Sequence, residues 1–161
     1  MAKKVFDNWS SLERYIKAQV NDVLDKEVAK LVKEEIQTAV SMDVYAAGDP
    51  VSYERRGLNK GTGSLGDPDT MTKDLNRSTL ELTITPDADR NMKYSFAGIG
   101  YDISSSLAYN IVHGYGNKIE WYNKPRDFIK TAKENMEATK SHVEVMKEGL
   151  RDRLGNSAVV S

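Results

Sequence analysis

The sequence predicts a chain in which helices and antiparallel strands occupy separate stretches, and three observations predict it. Two long runs of apolar residues recur every three or four positions, one near each end. A stretch between them alternates apolar and polar residues strictly, as a half-buried strand does. Between the first helical run and that strand lies a segment so rich in glycine and proline that no regular element runs far through it.

The first helical run is carried by Leu12, Ile16, Val20, Val23, Leu24, Val28, Leu31, Val32, Ile36, Ala39 and Val40. Asp7 or the Ser10-Ser11 pair is expected to cap it. The long helix is placed over 10–41. At 1.5 Å per residue it is about 45 Å long, more than a compact domain of this size spans, so it is expected to overhang its own domain. Its other face carries Glu13, Arg14, Lys17, Asp22, Lys26, Lys30, Lys33 and Glu34, which read as a solvated face with i,i+4 pairs or as a subunit contact.

Residues 43–77 form the predicted interaction loop, punctuated by Gly48, Pro50, Gly57, Gly61, Gly63, Gly66 and Pro68. Loops this long inside a domain are usually functional or disordered. Tyr45, Val51, Tyr53, Leu58, Leu65, Met71 and Leu75 give it anchors that a solvated spacer lacks, so it reads as a segment that orders against a partner. Its basic residues, including Arg55 and Arg56, are nearly balanced by acidic ones, which favours protein contact over nucleic acid. Asp67-Pro68-Asp69 reads as a turn with Asx hydrogen bonds.

Strands and a short helix are expected over 78–122. Leu80, Leu82 and Ile84 alternate with Thr79, Glu81, Thr83 and Thr85. Turn residues follow from Pro86 to Asn91, and Tyr94, Phe96 and Gly98 continue the alternation through Ile99, which predicts a hairpin. Leu107, Ala108, Ile111 and Val112 make a short helix begun by Ser104–Ser106 and closed at His113-Gly114. Ile119, Trp121 and Tyr122 form an aromatic segment. The second long helix is placed over 127–154, with Phe128, Ala132, Met136, Thr139, Val143, Met146, Leu150 and Leu154 on one face. Gly149 is expected to weaken its last turns.

One domain over 1–161 is expected from a length of 161 residues. The apolar share is 39%. Counted with Gly in place of Tyr it is about 41%, against roughly 45–50% for globular domains, so part of the fold is expected to be covered only on assembly. A net charge of -1 gives no support to a DNA-coating or membrane-surface role. With no cysteine there is no disulfide framework, thiolate zinc site or cysteine nucleophile. The two lysines near the amino end have no apolar run behind them, which argues against a secretory signal, and a soluble protein is expected.

The search for chemistry returns no catalytic constellation. His113 and His142, the only histidines, have no carboxylate or histidine at a metal-ligand spacing, and His142 is placed on the exposed side of the last helix. The loop serines lack the G-x-S-x-G elbow, and Asp67, Asp69 and Asp74 do not have EF-hand spacing. Arg55-Arg56 and Tyr53 suit either nucleic acid or carboxylates of a neighbouring subunit. Trp121 and Tyr122 read as core or interface anchors. No enzyme activity, metal or cofactor is expected.

From Tyr53-Glu54-Arg55-Arg56-Gly57, through Gly63-Ser64-Leu65-Gly66-Asp67-Pro68-Asp69, to Ile111-Val112-His113-Gly114 and Lys124-Pro125-Arg126-Asp127-Phe128-Ile129, the chain resembles a known family. It is similar to the tail-completion or head-tail joining proteins of tailed bacteriophages, the HK97 gene-product-10-like group. The order and approximate spacing hold from about residue 10 to 150. Asp127 stands where the family commonly has proline, and Asp is itself a good helix cap. His113 stands where an acidic residue is common.

The resemblance implies an α+β protomer, with a small antiparallel sheet packed by two long helices and a long irregular loop after the first. It implies a non-enzymatic virion protein of the neck, made in the host cytoplasm. Such proteins assemble as a ring, typically of six copies, between the tail tube protein and the head connector or stopper, with DNA only as cargo through the lumen. The interface residues expected on this reading are Tyr53, Arg55, Arg56, Leu65 and Asp67 in the loop, with Trp121, Arg126 and Phe128 positioning the last helix. The alternative is a phage protein whose loop arginines and tyrosines contact DNA.

Overall fold

In the computed structural model the described residues are 6–46, 65–86, 93–96, 99–102, 107–113 and 125–155. The first long helix is there, and it is longer and less regular than its periodicity predicts. Helix α1 spans Trp9–Val23, a wide π-helical turn follows over Leu24–Val28, α2 spans Ala29–Ala39, and a second π-helical turn covers Val40–Tyr45. Val23, Val28 and Ala39, at the junctions, all keep right-handed helical dihedrals, so the four pieces make one rod of roughly 55 Å.

The wide turns follow from where the apolar residues lie. Buried positions step by five residues from Val23 to Val28, then by four from Ile36 through Val40 to Val44. An α-helix of 3.6 residues per turn would let such a stripe drift around the rod. Inserting a residue at each π turn returns it to the same face. The rod starts at Asn8 and not at the expected Asp7, Ser10 or Ser11. The Asn8 side chain accepts the Ser11 amide at 2.8 Å while the Ser11 hydroxyl donates back to the Asn8 carbonyl at 2.8 Å, a reciprocal cap.

Strand β1 (Thr72–Asn76) pairs antiparallel with β2 (Glu81–Thr85), with Leu75 opposite Leu82 and Thr72 opposite Thr85. The alternation read over 81–85 holds: Leu82 and Ile84 are half-buried while Glu81, Thr83 and Thr85 are exposed. Its predicted partner does not. β1 falls inside the segment assigned to the loop, and β3 (Lys93–Phe96) pairs instead with β4 (Ile99–Asp102) in a second two-stranded sheet. Leu80, read as the first inward residue of the strand, sits in the turn with φ 59°. The Asn76 side chain holds that turn by accepting the Ser78 amide at 3.1 Å and the Thr79 amide at 3.3 Å, local bonding that competes with a continuing strand.

Helix α3 spans Leu107–His113, α4 spans Phe128–Thr139 and α5 spans Ser141–Leu154. The second long helix is therefore two helices. They are separated by Lys140 alone, which is left-handed at φ 54°, ψ 24°. Helix α4 lies along α2 and the second π turn, and α5 lies along α1 and the first, so the pair runs back down the rod. The core joins Ile36, Ala39, Val40 and Val44 of the rod to Leu65, Met71, Phe128 and Ala132, with Ile84, Ala108, Ile111 and Val112 packed against them. The fold is mostly helical with a small antiparallel sheet packed on the helices, an α+β architecture. Among the described residues no helix is long and apolar enough to cross a membrane.

Candidate interaction site

The loop enters the described region at Leu65, which is 2% exposed and inserts into the core beside the second π turn. Gly66 follows at a close approach: a Cβ there would lie 3.3 Å from Val40 Cγ1, closer than ordinary van der Waals contact. The backbone then turns as read from the sequence. The Asp67 carboxylate accepts the Asp69 amide at 3.0 Å, and the Asp67 carbonyl accepts the Thr70 amide at 3.1 Å, an Asx turn that preorganises the segment. Lys33 Nζ donates to the Pro68 carbonyl at 2.7 Å, tying the turn to α2. Met71, buried, closes it.

The start of α4 meets the same end of the rod. Asp127 caps the helix by accepting the Lys130 amide at 3.0 Å, the role expected of it. The Arg126 amide donates to the Ile111 carbonyl at 2.9 Å and so joins α3 to α4. Its guanidinium lies 3.5 Å from the Val44 carbonyl, a long contact that adds more direction than energy. Phe128, fully buried, fills the space between α4 and the rod.

Leu65, Asp67, Arg126 and Phe128 are thus gathered around Val40–Tyr45. Tyr53, Arg55, Arg56 and Trp121 lie outside the described residues. Leu65, expected in the loop contact, and Phe128, expected to position the last helix, are both buried in the chain's own core. Apolar side chains that do face outward at this end include Met42, 58% exposed, Tyr109, 66% exposed, and Ile129 at the start of α4, 39% exposed. Tyr109 stacks obliquely on His113 with ring centroids 4.3 Å apart. At the other end of the rod Trp9 is 79% exposed.

The residue patterns gave no sign of a second constellation, at the first π turn. Arg153 of α5 donates from Nε to Asp22 Oδ2 at 2.9 Å, from Nη2 to Glu27 Oε1 at 2.8 Å, and from Nη1 to the Gly149 carbonyl at 2.9 Å. Glu27 and then Asp22 push the guanidinium further up, while Lys26 and then Arg153 hold the Asp22 carboxyl below its ordinary value. Beside them Lys73 of β1 reaches Asp25 Oδ1 at 2.6 Å and the Asp25 carbonyl at 2.9 Å, and its hydrogen bond holds the Asp25 carboxyl low. The π turn therefore fastens β1 on one side and α5 on the other. His142 is half-buried, not on an exposed face. Among the described residues no group of three or more His, Cys, Asp or Glu is placed to hold a metal ion.

With this geometry in hand, comparison with known proteins identifies a family. The YomN family profile matches residues 8–152. The chain belongs to the YomN family. This is a phage-derived family, represented in a Bacillus prophage, and a phage protein is what the match supports. The YomN family, and not the HK97 gene-product-10-like group, is the one it identifies. The matched span opens on Asn8, the α1 cap, and takes in both π turns, the Asx turn and the start of α4. No curated protein and no solved structure matches the chain.

Proposed function

We propose that this YomN-family chain is a structural, non-catalytic virion protein of the phage neck, a tail-completion or head-tail joining subunit. On this reading it assembles as a ring of about six copies, as such rings close by repeating one heterologous contact. The ring sits at the top of the tail tube, touching the tail tube protein on one side and the head connector or stopper on the other. DNA passes through as cargo.

The observation that carries the reading is the pair of unlike ends on one rod. Met42 and Tyr109 are exposed beside the Asx turn and the start of α4, while Trp9 is exposed at the far end. Single exposed apolar residues are ordinary. An exposed aromatic at each of two dissimilar ends of a long rod suits a contact in which one end of a copy meets the other end of the next. Aromatic and methionine side chains are also the types enriched at such contacts. Membership of a phage-derived family supplies the context.

Purified particles provide the test. Quantitative peptide analysis of phage banded free of lysate proteins should find the chain at about six copies per virion. Its absence from infectious particles overturns the reading.

A further inference from the structure

The junction between α4 and α5 is one residue long, and that residue is strained. Lys140 adopts φ 54°, ψ 24°, a left-handed conformation that side chains bearing a Cβ disfavour. Thr139 before it and Ser141 after it are both helical. No glycine or proline occurs from Phe128 to Glu148, and the helical period runs through, so the local sequence favours one unbroken helix.

What holds the bent form is the contact of α5 with the rod, and along α5 Val145, Met146, Leu150 and Leu154 are half-buried. The apolar core reaches α4 at Phe128 and Ala132 but includes no residue of α5. Gly149 is the buried residue of α5, packed on Val23, and Arg153 pairs with Asp22 and Glu27. Ser141 Oγ and His142 Nδ1, just past the break, are buried with no hydrogen-bond partner, as are Asn21 Oδ1 and Glu27 Oε2 on the rod.

We propose that α5 is an arm exchanged between copies of this chain. Lys140 returns to the right-handed region, α4 and α5 become one helix, and α5 docks on the rod of a second copy. There Gly149 meets the second copy's Val23 and Arg153 its Asp22 and Glu27. The occupant is set by complementarity already on the page: the last turn of α5 is basic, with Arg151 and Arg153, and Arg153 is met on the rod by Asp22 and Glu27. Exchange remakes the same contacts across an interface while releasing the strain at Lys140. It rests on the self-association in the proposed function and names the segment that would mediate it.

The absence of cysteine from the chain makes an unambiguous cross-linking test possible. Val23→Cys with Gly149→Cys, in the full chain, is oxidised at rising protein concentration and run on a non-reducing denaturing gel beside a native size measurement. Asp22→Cys with Arg153→Cys, joined by a short bis-maleimide because the length of the arginine side chain leaves the two Cβ atoms beyond disulfide reach, repeats the test where a side chain at Gly149 disturbs folding. Exchange predicts covalent dimers and longer ladders from the associated fraction. Associated protein that carries only intrachain cross-links overturns exchange and leaves the ring reading intact. Protein that never associates overturns both. Lys140→Gly, which removes the left-handed strain, should lower the interchain share roughly tenfold, and an unchanged share overturns the hinge.

Discussion

Adding a single methyl group at Gly149 should destabilise the protein even though it improves the helix. Glycine inside a helix costs about 1 kcal/mol relative to alanine, so Gly149→Ala gains about that much if space allows. Space does not allow it. The new Cβ would stand 2.8 Å from Val23 Cγ1 and 3.1 Å from Val23 Cγ2, and Val23 is 0% exposed. Valine in a helix has one strongly preferred rotamer, so the clash is relieved by forcing Val23 off it or by lifting α5, and overpacking of this kind costs about 1–3 kcal/mol. The expected net is a loss of about 1 kcal/mol, read from urea unfolding curves with unchanged slope. In a Val23→Ala background the obstacle is gone, and the same Gly149→Ala change should stabilise by about 1 kcal/mol, a coupling of about 2 kcal/mol between touching residues. Stabilisation by Gly149→Ala in the otherwise native chain would refute the close packing of α5 on α1.

Three further outcomes are expected. Phe128→Ala removes a fully buried ring from the centre of the core and should cost about 3–5 kcal/mol in denaturant unfolding; a loss under about 1 kcal/mol would contradict its placement. Lys73→Met breaks the pair with Asp25, both about one third exposed, and should cost about 0.5–1 kcal/mol near neutral pH. Because the Asp25 carboxyl is held below its unfolded value by Lys73, that contribution is present above about pH 4 and is lost as pH falls through the folded value. Stability curves of the two proteins should therefore converge in acid, and a constant gap down to about pH 2 would rule the pair out as its source. Asn8→Ala removes the α1 cap and should cost about 1 kcal/mol, measurable in the same unfolding curves; an unchanged midpoint would mean that the cap adds nothing.

The features legible in the sequence are those whose causes are local. The apolar stripe from Leu12 to Val40 needs only neighbours three and four residues away, and so do the Asp127 cap, the Asx turn at Asp67 and the alternation over 81–85. Strand β1 was hidden because Thr72–Asn76 holds one apolar residue, Leu75, and owes its place to pairing with β2 and to Lys73 on the rod. The first π turn shows only as a five-residue step between buried valines, which reads as noise until the buried face is known, and the second falls among four-residue steps that an α-helix also gives. The break at Lys140 has no local signal because the local signal favours a helix; tertiary packing of α5 overrides it. Arg153 sits among Asp22 and Glu27 from 131 and 126 residues away in the chain, and each of the three alone looks like part of a solvated face. In Leu65 and Phe128 the sequence alone does not separate an anchor for a partner from an anchor for the core, because both share one residue chemistry. Burial separates them.

The proposed role, completion of the phage tail at the neck, is tested most directly by electron microscopy of lysates from a phage with an early stop codon in this gene. The account predicts DNA-filled heads beside separate tails, of normal length if the chain joins head to tail and overlong if it terminates the tube. Normal, infectious particles with heads and tails joined would contradict it.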